Sequence, residues 1–184
     1  MLKISQLCQR KLRRQCGVAA VEFAIIAMLL FTLLFGIVEF GRLLYVFNSV
    51  QEVTRRAARE AVVRWTDSDS QADAKALALF CNINLSPKPS CYASPSLPAG
   101  AEINPDNIII DYLNGNRVQL TSLPDSPSEN IAECLSGPTG CIAFVRVRII
   151  GATYLPMVGL FSSFAITIPE STVIMPAESM GYSG

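Results

Sequence analysis

One carboxylate, Glu22, interrupts an otherwise uncharged run from Val18 to Val38, VAAVEFAIIAMLLFTLLFGIV. A carboxylate at the middle of a bilayer costs about 2.5 to 3.5 kcal/mol on insertion scales, so a charge in such a run is a functional candidate. Glu22 also lies only four residues from the start of the run, about 6 Å along a helix, where it reaches the interface and where a helix favours negative charge in its first turn. Both readings stand on these residues alone. Farther along, Glu39 and Arg42 are three apart, a spacing that pairs on one helix face, and they read first as an interfacial anchor.

Other chemistries are excluded early. The 184 residues include no histidine. That removes Ser-His-Asp and Cys-His nucleophiles, imidazole zinc sites and histidine proton shuttles. There is no phosphate-binding glycine loop and no G-x-S-x-G elbow. After residue 17 the only lysines are Lys75 and Lys88. The sequence therefore predicts a protein that is not an enzyme and needs no cofactor or metal. Fifteen basic and fifteen acidic groups and a pI near 6.3 also argue against a nucleic-acid partner.

The charges separate along the chain. Lys3, Arg10, Lys11, Arg13 and Arg14 make residues 1–17 basic without a single acid, whereas residues 66–184 hold five basic against eleven acidic groups. Between them, the run from Val18 to Val38 forms a helix of roughly 30 Å, the thickness of a bilayer's hydrocarbon core. Cationic residues stay on the cytoplasmic side, which puts residues 1–17 inside and the acidic body outside. No proline precedes Pro87, so one continuous helix is expected from Val18 to about Trp65. Beyond the membrane Val50, Val53, Ala57 and Ala61 mark one apolar face, with Arg55, Arg56, Arg59 and Glu60 largely on the others. The predicted organisation is a basic leader (1–17), a transmembrane helix (18–42), an amphipathic extension (43–65) and an outer domain (66–184).

In the outer domain a short helix is expected from about Gln71 to Phe80, opened by Ser70-Gln71-Ala72-Asp73. The run from Asp67 to Asp73 alternates oxygens as a calcium loop does, but Ala72 and Ala78 stand where that loop needs its glycine and glutamate. NIIIDYL (107–113), Asn114-Gly115 and RVQLT (117–121) read as a hairpin. A second pair is expected from Ile142–Ile150, where Val145, Val147 and Ile149 alternate with arginines, and from 164–175 with an interruption at Pro169. The fold class is α+β: a long N-terminal helix whose outer half is covered by a small antiparallel sheet. Outside the leader, which carries Cys8 and Cys16, four cysteines remain: Cys81, Cys91, Cys134 and Cys141. An even number in an oxidising compartment predicts two disulfides, with nearest neighbours in sequence the preferred pairs. Neither spacing has the short form of a structural zinc site.

The junction Arg13-Arg14-Gln15-Cys16-Gly17 followed by Val18-Ala19-Ala20-Val21-Glu22-Phe23 resembles the processing site of type IV pilin-like proteins. It is most similar to the Tad (Flp, tight-adherence) branch, whose pattern is Gly, four residues, Glu, then Tyr; here Phe23 keeps the ring without the hydroxyl. Gly36-Ile37-Val38-Glu39-Phe40-Gly41-Arg42 and the arginine-rich extension resemble TadE-like minor pilins or pseudopilins. The resemblance implies cleavage between Gly17 and Val18 by a membrane prepilin peptidase and a role for Glu22 and Phe23 in assembly, with Glu22 pairing with the new Val18 α-amine of a neighbouring subunit. It further implies an inner-membrane location with the body periplasmic, and a part in initiating, capping or adapting an adhesion pilus. The major Flp-type pilin, a companion minor pilin and the inner-membrane assembly platform would be the partners. The alternative from a different class is an uncleaved single-pass anchor carrying a periplasmic binding module.

Overall fold

The computed structural model describes residues 3–81, 103–178 and 180–181, with side chains from residue 17 onward. Its first element is one helix, α1 (Lys3–Val63). The predicted start at Val18 is therefore too late by four turns. The leader is built from Lys, Leu, Arg and Gln, all strong helix formers, and it offers no proline or cap to stop propagation before Gly17. One glycine inside a helix costs about 1 kcal/mol, too little to break a cooperative run of this length. α1 contains the only helix among the described residues long and apolar enough to cross a membrane, with mean hydropathy 2.6 over its most apolar window, none of it buried.

The chain divides into two compact units, Met1–Gly41 and Arg42–Gly184. Among the described residues the first is α1 alone, with Val18, Val21, Ile25, Leu29 and Leu33 all exposed. In the second, the remainder of α1 is followed by α2 (Ser68–Ala78), β1 (Ile108–Leu113), α3 (Pro127–Ser136), β2 (Phe144–Ile149), β3 (Thr153–Tyr154), β4 (Ile166–Thr167) and β5 (Ser171–Pro176). β1, β2 and β5 form an antiparallel sheet in the order β1-β2-β5, and β3 pairs with β4.

Period-two alternation in β2 decides which face is buried. Val145, Val147 and Ile149 are sealed in the core, while Arg146 and Arg148 turn to the other face. Val145, Val147 and Ile149 share the core with Val50, Val53, Ala57 and Ala61 of α1, each at most 2% exposed, so the helix face predicted from spacing is the one the sheet covers. The α+β arrangement of long helix and small antiparallel sheet is borne out. The far end of the chain finishes α1: Glu178 N and Gly181 N donate to the Val62 and Val63 carbonyls at 3.2 and 2.8 Å. Those carbonyls have no partner within the helix, and α1 has no basic residue in its last turn to serve them.

Three local expectations are corrected. α2 begins at Ser68, not Gln71, because Asp67 caps it by accepting the Ser70 N–H at 2.9 Å; the Asp67 oxygen of the calcium-like run is committed to a helix end. The 117–121 segment is not a strand. Asn114 and Gly115 do turn the chain, but Arg117 adopts φ +60° and only Leu113 and Gln119 bridge, so the partner of β1 is β2. Gly115 answers a close approach there: its N–H donates to the Pro138 carbonyl at 2.7 Å, and an added Cβ would fall 2.7 Å from the Pro138 side chain. Finally, the stretch 164–175 splits about Pro169, giving β4 to β3 and β5 to β2.

Candidate assembly site

Gly17, Val18, Glu22 and Phe23 all lie within α1, inside the first compact unit. Val18 and Glu22 are four apart and so share one helix face a turn apart, while Phe23 projects beside them with 72% of its surface exposed. The helical neighbours of Glu22 at three and four residues are Val18, Ala19, Ile25 and Ile26. None can accept a proton or donate a hydrogen bond. Glu22 is exposed, and among the described residues nothing pairs with it. A carboxylate with only aliphatic neighbours on its own helix must find a cation elsewhere if it enters hydrocarbon.

Gly17 poses the complementary question. A Cβ built on it meets no atom within 4 Å, so nothing among the described residues sterically requires a glycine at that place. With helical φ, the position also needs no left-handed backbone. A glycine inside a helix costs about 1 kcal/mol relative to alanine, so residue 17 is a locally weakened point of α1. Because α1 starts at Lys3, Glu22 is not in a first turn here; it becomes a first-turn residue only if the chain starts at Val18.

The cysteines lie in the second unit. A disulfide joins Cys134, in the last turn of α3, to Cys141, with Cα atoms 4.9 Å apart. Cys81 is also disulfide-bonded and 3% exposed; Cys91 lies outside the described residues.

A charged cluster that sequence reasoning missed sits on the outer face of the sheet. The Nε atoms of Arg146 and Arg148 both donate to Asp111 Oδ2, at 3.0 and 2.9 Å, and Gln119 Nε2 donates to Oδ1 at 3.3 Å. With Asp111 almost fully buried and saturated by these donors, the cluster clamps β1 to β2 rather than offering a free base. Its signal in the sequence was Arg146-x-Arg148 at strand spacing, but the acid opposite is given only by register, Asp111 facing Arg146. A cavity of about 280 Å³ beside β5, lined in part by Phe47, Arg55, Glu170 and Val173, contains none of the predicted site residues. Arg42 donates to the Leu155 carbonyl at 2.8 Å and stacks over the Tyr154 ring at 4.8 Å.

No curated protein and no solved structure matches the chain. One protein family does, over a limited segment that starts at the open glycine and takes in Glu22, the apolar run and most of the helix face that the sheet covers. Residues 17–59 match the family described as TadE-like protein, so this stretch of α1 is similar to that family.

Proposed function

We propose that this protein is a minor pilin or pseudopilin of a Tad-type pilus, structural rather than catalytic, made as a membrane precursor and cut between Gly17 and Val18. The observation that carries the reading is the pairing of an unneeded glycine with an unpartnered acid five residues on, inside the TadE-like segment. Cleavage removes the cationic leader, gives Val18 an α-amine and turns Glu22 into a residue of the first helical turn. In hydrocarbon that carboxylate is stable only against a cation, and the amine of a neighbouring subunit supplies one while setting the register of two helices. The exposed aliphatic surface of residues 18–38 then packs against like helices of the major pilin and a companion minor pilin. A prepilin peptidase and the inner-membrane assembly platform are the other partners, and the body (66–184) lies on the periplasmic side, braced by its disulfides.

A second reading, an uncleaved single-pass anchor bearing a periplasmic binding module, draws on one observation: α1 runs through Gly17 without a break. Intact mass after membrane expression beside a Tad prepilin peptidase separates the two. A chain beginning at Val18 is expected; a chain still beginning at Met1 rejects processing and leaves the anchor.

A further inference from the structure

Residues 149–169 are the longest uncharged run of the chain. Part of it serves the core, through Ile149, Ala152, Tyr154 and Ile168. The rest turns outward: Leu155, Met157, Leu160, Phe164 and Ile166 are 59, 77, 58, 65 and 43% exposed. Five large apolar side chains gathered on one loop and its flanking strand form a patch that water does not favour.

Its place in the fold says what covers it. Arg42 is the first residue of the second compact unit and lies four residues after Val38, the last residue of the lipid-length run. Its guanidinium holds the Leu155 carbonyl at 2.8 Å and lies over Tyr154, so the outward-facing loop starts beside the first residue of the second unit. On α1 beside it, Leu44 and Tyr45 are also about half exposed. Arginine and tyrosine at such a level are the side chains that settle at a membrane surface, apolar body inward and polar tip in the headgroups.

Resting on the reading of α1 as a membrane span, we infer that residues 155–166 lie in the headgroup and upper acyl region of the outer leaflet as a second membrane contact. The loop is fit for shallow insertion and not for crossing. Its short turn satisfies part of its own backbone, with Phe161 N donating to Val158 O and Phe164 N to Phe161 O, and the interface leaves water for the remainder. The nearest flanking charges in sequence, Arg148 and Glu170, are committed to the sheet cluster and stay in the body. This gives residues 42–184 their own hold on the bilayer, separate from the helix.

The test uses the full chain in nanodiscs, single copies per disc, with phospholipids brominated either near the headgroup end or deep in the acyl chain. Tryptophan is placed at Met157→Trp or Leu160→Trp, and the emission of Trp65 is subtracted using the parent protein. Leu135→Trp, 85% exposed on α3, serves as the water-facing control, and Leu30→Trp reports on the span itself. Both loop tryptophans are expected to shift to shorter wavelength and to lose emission with shallow bromines, while Leu135→Trp does neither. Quenching of Leu30→Trp by deep bromines without quenching of the loop positions overturns the loop contact and leaves the span intact. A blue shift at 157 and 160 without quenching also overturns it, because a protein surface then covers the loop. If Leu30→Trp is not quenched either, the span fails and the loop contact with it.

Discussion

Asn130 Oδ1 accepts the Ile142 N–H at 2.7 Å, and Asn130 Nδ2 donates back to the Ile142 carbonyl at 3.4 Å. One buried side chain thus stands in for a missing strand neighbour and ties α3 to the segment that leads into β2. The Cys134–Cys141 disulfide joins the same two segments. Asn130→Ala leaves two polar backbone groups of a buried residue unpaired, at about 1 to 3 kcal/mol for each group. Urea denaturation with the disulfide intact should therefore show a loss of about 2 to 6 kcal/mol. Asn130→Asp, which keeps the acceptor and loses the donor, should fall between the variant and the parent.

The α2 cap gives a dependence on acid. The Ser70 backbone N–H and hydroxyl hold the Asp67 carboxyl below its ordinary value of 3.8. A depressed folded pKa means that the stabilisation is present above 3.8 and is lost as pH falls through the folded value. The melting temperature of Asp67→Ala should lie below that of the parent at neutral pH, and the gap should close on acidification. Asp67→Asn keeps a capping oxygen without a titrating group, so its own melting temperature should lack this acid-dependent component.

At the alkaline end, burial pushes the Tyr112 phenol up to about 12, with the negative charge of Asp67 adding to the rise. Here the folded pKa is raised, so the contribution is complete below 10.0 and is lost as pH climbs from there toward about 12. Ultraviolet absorbance should show Tyr112, identified by its loss in Tyr112→Phe, titrating well after the exposed tyrosines. Tyr112→Phe should blunt the alkaline fall in stability while leaving the acid limb unchanged.

The elements legible in the residues were those in which a single period decides the structure. Val50, Val53, Ala57 and Ala61 announce a covered helix face, and Val145, Val147 and Ile149 announce a half-buried strand, because each pattern has one consistent solution. What competes over longer distance was not legible. Asn114-Gly115 is a good local turn and Gln119 does bridge back to Leu113, yet the partner that pairs with β1 along its full length is the distant β2. α3 was overlooked although Ser126, Pro127 and Glu129 spell a helix start, Ser126 Oγ accepting the Glu129 N–H. Asp111 and its two arginines needed a register that spacing does not provide. At the junction, Gly17 and Glu22 could be singled out from their types and neighbours, but the helix start could not, since nothing in the leader marks a boundary.

That missing boundary leads to a prediction about processing. A peptidase requires an extended stretch at the bond it cuts, yet the bond between Gly17 and Val18 lies inside α1. On the proposed processing, cutting would follow local unwinding, and Gly17 makes unwinding easier by about 1 kcal/mol relative to alanine. Gly17→Ala meets no atom among the described residues, so it should fold normally and lengthen the life of the helical form. A shift of that size is about fivefold in the open population. With peptidase in excess, a time course of intact mass should show Gly17→Ala processed roughly fivefold more slowly if opening alone distinguishes it. Gly17→Val adds bulk at the bond and should not be processed at all. Should Gly17→Ala be cut as fast as the parent, unwinding at residue 17 does not control the reaction. A block as complete as that of Gly17→Val would instead mean that the peptidase tolerates no side chain there, and that helix stability is not what it reads.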